Sequence, residues 1–121
     1  AHQLYPFKSM LNAGMKIGGS SDCPVSNLDP RISLRDAVLR RTPSGEIIGP
    51  QETLTMEEAI RLYTQGSAYL SFDENRNGSI EIGKRADFTV MAADPRRVSP
   101  EEVPQIPISM TVVGGEIVYA G

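Results

Sequence analysis

One short strand constrains the fold of this chain more than any other feature. Residues 15–19, Met15-Lys16-Ile17-Gly18-Gly19, place Met15 and Ile17 on either side of Lys16 and read as a strand. Nothing else in residues 1–72 has a clear strand pattern; the rest of that stretch is helical in spacing or irregular. A strand between helices needs neighbouring strands and cover on both faces. The alternatives are self-association through the exposed edge or membership of a larger sheet. A complete (β/α)8 barrel takes about 250 residues, so 121 residues exclude a whole one.

The helices are bounded by local signals. Pro6 sits at a helix start and Gly14 at its stop, with Phe7, Met10 and Leu11 at helical spacing between them. Asp29-Pro30 opens a second helix, carried by Ile32, Leu34, Ala37, Val38 and Arg41 to the loop Thr42-Pro43-Ser44-Gly45. Residues 43–53 read as irregular. Thr55 and Glu58 form a capping box for a third helix with Ala59, Ile60, Leu62 and Tyr63 on its apolar side, and Gly66 reads as its terminator. Beyond residue 72 the pattern becomes strand and turn. Asn77-Gly78 is a turn signal, residues 79–82 alternate, Phe88-Thr89-Val90-Met91 is a strand, and Gly114-Gly115 joins a hairpin.

Composition removes several function classes. An apolar content of 40% and a charged content of 22% fit a globular domain. The formal charge of −3 has no basic face, which argues against nucleic acid as a partner. Arg40-Arg41 and Arg96-Arg97 read as solvated surface pairs. No apolar run reaches the ~18 residues of a membrane span, so no membrane partner is expected. One cysteine excludes an internal disulfide and a cysteine-rich zinc site, which fits a cytoplasmic, reducing setting. Ala1-His2-Gln3-Leu4 has neither the features of a signal peptide nor an initiator methionine, and the expectation is a chain that begins inside something longer.

The chemistry-bearing candidates gather after the strand, in Ile17-Gly18-Gly19-Ser20-Ser21-Asp22-Cys23-Pro24. Asp22 has two readings: a metal ligand or base at the carboxyl end of a strand, or a turn residue bonded to its own backbone. The glycines and serines before it suggest an anion nest, without the lysine spacing of a phosphate-binding loop. Cys23 reads as a small packing residue because nothing nearby activates it. His2 reads as incidental. Asp73, Glu74, Glu101 and Glu102 read as solvated carboxylates, and Tyr63 and Tyr69 as core residues with wet hydroxyls. These residues alone identify no reaction.

Four stretches carry a resemblance: Tyr5-Pro6-Phe7-Lys8-Ser9-Met10-Leu11-Asn12-Ala13-Gly14; Gly19-Ser20-Ser21-Asp22-Cys23-Pro24-Val25; Leu54-Thr55-Met56-Glu57-Glu58-Ala59-Ile60 with Tyr63-Thr64; and Gly78-Ser79-Ile80-Glu81-Ile82-Gly83-Lys84-Arg85-Ala86-Asp87. In this order the chain resembles the carboxyl-terminal part of the metal-dependent amidohydrolase superfamily, in the branch containing N-substituted formamide deformylases. The resemblance implies an α/β segment, residues 1–72, holding the last helices and eighth strand of a TIM-like barrel. Residues 73–121 would belong to a small β-sandwich subdomain closed by the hairpin at Gly114-Gly115. It implies hydrolysis of a non-peptide C–N bond in a small amide or formamide, with a divalent metal such as zinc. Asp22 would match the aspartate that contacts the metal and accepts a proton, and Cys23, Pro24 and Val25 would begin the substrate loop, residues 23–29.

The departures matter equally. The family's metal-binding histidines, with its histidine-x-histidine motif, would precede residue 1. Cys23 stands where tryptophan is frequent, and Gly66 near a usual asparagine. The isolated 121 residues are therefore expected to be inactive and to hold no stoichiometric metal. A rival reading is a non-catalytic relic or interaction module that keeps this fold and buries its strand against a partner. A small nucleotide-binding protein built on the glycine-serine bend is a third.

Overall fold

The fold is that of a computed structural model, which describes residues 4–121; His2 lies outside the described residues. Helix α1, Phe7–Asn12, follows Pro6, and Gly14 leaves it at φ 77°. Helix α2, Pro30–Leu39, starts where Asp29 accepts from the Arg31 N–H at 2.9 Å, with Pro30 in the first turn. It ends one residue before Arg40, which is left-handed at φ 49°. Helix α3, Met56–Arg61, has the expected reciprocal cap: Thr55 accepts from Glu58 N at 3.2 Å and Glu58 accepts from Thr55 N at 2.8 Å.

Gly66 does not terminate that helix. The chain passes from α3 through a π turn, Leu62–Gly66, directly into α4, Ser67–Leu70, giving one helical run over residues 56–70. Two expected strands are also absent among the described residues. Residues 15–20 form no regular element and belong to no ladder, and residues 79–82 hold a bend and a turn but no strand. Both fail for one reason: a strand exists only in a ladder with a partner, and alternation alone supplies none. Around residues 79–82, Lys84 Nζ instead donates to Ser79 Oγ at 2.6 Å and the Lys84 N–H to Glu81 O, closing a turn that leaves Ile80 and Ile82 exposed.

The described strands form one antiparallel sheet in the order β1-β2-β3: β1, Phe88–Met91; β2, Ile108–Val113; β3, Glu116–Ala120. Thr111 pairs with Thr89 on one side and with Tyr119 on the other. Gly114 and Gly115, at φ 60° and 87°, supply the two positive angles that a tight hairpin turn requires. This is a single sheet rather than the two packed layers of a sandwich. A 3-10 segment of six residues, Pro100–Gln105, links β1 to β2 and packs on α2.

The core draws on both sides of residue 72. Leu34, Met56, Ala59, Val103 and Ile106 are buried together, with Ala37, Val38, Ile60, Tyr63, Met91 and Val98 packed around them. Arg31 ties the same elements by polar contacts, holding Asp29 in a bidentate pair and donating to Ile106 O at 2.7 Å. That hydrogen bond from Arg31 keeps the Asp29 carboxyl below its ordinary range.

Helix α1 buries no residue of its own and is held by polar links. Ser9 donates to the buried Glu52 carboxylate through its hydroxyl, and through its N–H at 2.8 Å. Lys8 pairs with Glu58. Arg40 donates to Leu4 O at 2.6 Å, to Tyr5 O at 3.1 Å and to Ile48 O at 2.7 Å. Arg40 is therefore a half-buried bracket between segments rather than the solvated surface cation expected from its doublet with Arg41.

The Ser9 hydroxyl and then its N–H hold the Glu52 carboxyl below its ordinary value of 4.5. A lowered folded value makes this carboxylate contribute stability above 4.5 that is lost as pH falls through the folded value. Ser9→Ala removes the larger donor. We expect it to lower the urea midpoint at neutral pH and to shrink the difference between midpoints measured at neutral pH and at about pH 3.

Candidate active site

Residues 15–20 lie against the helical run, and three glycines set the distance. A Cβ on Gly66 would meet Ile17 O at 2.1 Å, one on Gly19 the Tyr63 ring at 2.4 Å, and one on Gly18 the Leu70 side chain at 2.9 Å. With no side chains between them, the backbones bond directly. Gly19 N–H donates to Leu62 O at 2.9 Å. The Ser67 hydroxyl lies 3.0 Å from both Gly19 O and Leu62 O. The Tyr63 hydroxyl donates to Ser20 O at 3.0 Å. The docking carbonyl belongs to the π turn itself, where Leu62 O accepts the Ser67 N–H five residues on as well as the Gly19 N–H.

Past Ser20 the chain turns sharply. Ser20 Oγ accepts from the Asp22 N–H at 3.2 Å and Ser21 Oγ from the Cys23 N–H at 3.3 Å. Asp22 O accepts from the Val25 N–H at 2.8 Å across a cis Cys23-Pro24 bond, and Ser26 donates its hydroxyl to Ser21 O. Asp22 itself is left-handed at φ 53°. Its carboxylate is exposed and makes no hydrogen bond or ion pair among the described residues.

This geometry decides between several readings of the sequence. The turn is capped by the two serine hydroxyls, so Asp22 is not the residue that bonds its own backbone. Of the amides in Gly18-Gly19-Ser20-Ser21, that of Gly19 is taken by Leu62 O, and those of the next two residues, Asp22 and Cys23, are taken by the serine hydroxyls. Cys23, Pro24 and Val25 are exposed, so Cys23 does not pack in a core. Tyr63 packs on the core cluster, and its hydroxyl, on the exposed side, also bonds the Ser20 backbone. Tyr69 is exposed rather than buried, with Lys16 Nζ 5.9 Å from its ring centre.

Of the carboxylates read as solvated, Glu74 is not: its Oε2 is buried without a hydrogen-bond partner among the described residues, while the others are tied to neighbours. Asp73 pairs with Arg76 at 3.5 Å and accepts from Asn77. Glu102 closes a capping box with Ser99, and the Ser99 hydroxyl donates to Glu101 at 2.5 Å, lowering the Glu101 carboxyl. The Arg96 side chain holds Asp94 down to about 2. Sequence reasoning missed Gly66 and Ser67 as parts of the site. The available signal was a lone glycine inside an otherwise unbroken helical pattern.

Among the described residues no group of three or more His, Cys, Asp or Glu is placed to hold a metal ion. Asp22 offers one carboxylate, whereas a catalytic zinc takes three protein ligands. The residues described therefore do not fit a metal centre by themselves. No helix among them is long and apolar enough to cross a membrane.

The chain belongs to the amidohydrolase family, whose sequence model matches residues 1–119. It is 39% identical over 119 residues to YtcJ of Bacillus subtilis, covering 95% of this chain and 22% of that protein. It is 36% identical to the N-substituted formamide deformylase of Arthrobacter pascens, over 97% of this chain and 22% of that protein. A crystal structure of an uncharacterized metal-dependent hydrolase from Pyrococcus horikoshii matches with a TM-score of 0.72 at 27% identity, over 81% of this chain and 20% of that one. The chain thus spans about a fifth of the length of the relatives it matches.

Gly66 gives a prediction of unusual sign. Alanine for glycine inside a helix ordinarily gains about 1 kcal/mol. Here the added methyl meets the Ile17 carbonyl oxygen, and both sides of the contact are backbone. We expect Gly66→Ala to destabilise by about 1–3 kcal/mol, read from urea denaturation midpoints; a gain in stability would refute the close approach.

Proposed function

We propose that the chain is the carboxyl-terminal part of an amidohydrolase that cleaves the C–N bond of a small non-peptide amide or formamide. Residues 1–72 would supply the last barrel helices, with residues 15–20 completing the eighth strand once neighbouring strands pair with it. Residues 73–121 would supply one sheet of the accompanying β-sandwich. The observation that carries the reading is Asp22: an exposed, unpartnered carboxylate just past residues 15–20, inside the region matched to the family. Barrel enzymes build their sites at that end of their strands.

In this reading Asp22 is the proton acceptor. Its carboxylate takes a proton from the attacking water as the oxygen bonds to the carbonyl carbon. It returns that proton to the nitrogen as the C–N bond breaks and the amine leaves. The residues after it, Cys23, Pro24 and Val25, line the substrate side of the loop. A divalent cation, zinc in this reading, belongs to the whole enzyme, and its ligands other than Asp22 lie outside this chain. The formamide class is supported by the name of the Arthrobacter pascens relative.

The test is Asp22→Asn in the full-length protein, assayed by amine release from an N-substituted formamide. We expect kcat to fall by about 10²–10⁴-fold. The folded stability should stay within about 0.5 kcal/mol, because the carboxylate has no partner to lose. Wild-type turnover in this variant would exclude Asp22 as the proton acceptor.

A further inference from the structure

We propose that the π turn Leu62–Gly66 is the device that places Asp22 for the reaction, with Tyr63 and Ser67 as positioning residues that act through the backbone of Gly19 and Ser20. The inference rests on the proposed role of Asp22. A carboxylate with no hydrogen bond or ion pair of its own is located only by the backbone that carries it. That backbone is fixed at three points within three residues of Asp22: Gly19 N–H on Leu62 O, Gly19 O against the Ser67 hydroxyl, and Ser20 O on the Tyr63 hydroxyl.

The other half of the contact is equally anchored. Tyr63 packs its ring on the cluster of Leu34, Met56, Ala59, Val103 and Ile106. The hydroxyl at its far end therefore reports the position of the core to Ser20. Ser67 bridges Gly19 O and Leu62 O, so it locks residues 15–20 to the same turn that accepts the Gly19 amide. Beyond the Ser20 carbonyl and as far as Ser26, the described bonds are those of the serine hydroxyls and the 22–25 turn, all within the loop itself. The clamp is the last described connection to the core on the amino-terminal side of Asp22; on the other side the chain is next anchored at Asp29 and Arg31. A misplacement of about 1 Å at a reacting group can cost on the order of 10²-fold in rate.

Tyr63→Phe tests this cleanly, because it keeps the ring and deletes only the hydroxyl. Three full-length variants, Tyr63→Phe, Ser67→Ala and Asp22→Asn, are compared with wild type, with 4-nitroformanilide as probe and 4-nitroaniline release as readout. For Tyr63→Phe we expect kcat to fall about 10–100-fold with KM nearly unchanged.

Amide hydrogen exchange, which needs no turnover, should be about tenfold faster at residues 19–22 in Tyr63→Phe and Ser67→Ala, with β2 amides unchanged. A lower folded fraction alone would speed exchange in β2 as well. Wild-type exchange at residues 19–22 would overturn the clamp, and faster exchange there with wild-type kcat would overturn its positioning role. Full activity in Asp22→Asn would instead sink the proton-acceptor reading, and with it the catalytic role of the clamp, while the exchange result still decides whether the clamp exists.

Discussion

Because Gly66 has no side chain, the helical run over residues 56–70 and residues 15–20 approach until backbone meets backbone. Everything in the loop that follows depends on that approach. It brings Leu62 O within reach of the Gly19 amide, Ser67 within reach of two carbonyls, and Tyr63 within reach of Ser20. In the π turn Leu62 O is shared, accepting the Ser67 N–H of the helical run as well as the Gly19 N–H. Glycines at 18 and 19 are the matching half of the same constraint. A lone glycine in a helix costs about 1 kcal/mol; here that cost is offset by hydrogen bonds that satisfy an otherwise open segment.

The rest of the molecule is organised to keep this contact in register. Buried apolar side chains are few and lie mainly between α2, α3 and the 3-10 segment Pro100–Gln105. Hydrophobic burial thus holds the helical run, while polar links hold what burial does not reach. Helix α1 has no buried residue and is positioned by Glu52, Glu58 and Arg40. That division has a consequence for pH. The hydrogen bonds from Ser9 and Lys8 lower both Glu52 and Glu58, so acid weakens the attachment of α1 before it touches the apolar core. The sheet stands apart from this logic: β3 is exposed at every position, and its pairing with β2 rests on the ladder and the Gly114-Gly115 turn.

What could be read from the sequence was what is decided locally. Asp29-Pro30, the Thr55–Glu58 box and Gly114-Gly115 each satisfy or bend the backbone within four residues, and each formed where the spacing placed it. The misreadings share the opposite property. Residues 15–19 and 79–82 have strand-like alternation, but a ladder needs a partner that alternation does not specify. Gly66 was legible as a glycine but not as a contact, because its reason lies 49 positions away at Ile17. Tyr63 was legible as a core ring, and the partner of its hydroxyl was not.

Asp22 shows how a site emerges from these choices. An aspartate in a turn normally bonds a nearby amide with its own side chain. Here the preceding serines take those amides, Ser20 the one at residue 22 and Ser21 the one at residue 23. The carboxylate is thereby released from structural duty and faces solvent in a left-handed residue that glycine would fill more easily. A left-handed aspartate costs on the order of 1 kcal/mol or more, so a turn selected for stability alone would carry glycine at this position. Aspartate takes this conformation at the end of a segment tied to the helical run at three points. A free carboxylate on a tethered backbone is the arrangement that the proposed proton acceptor would need.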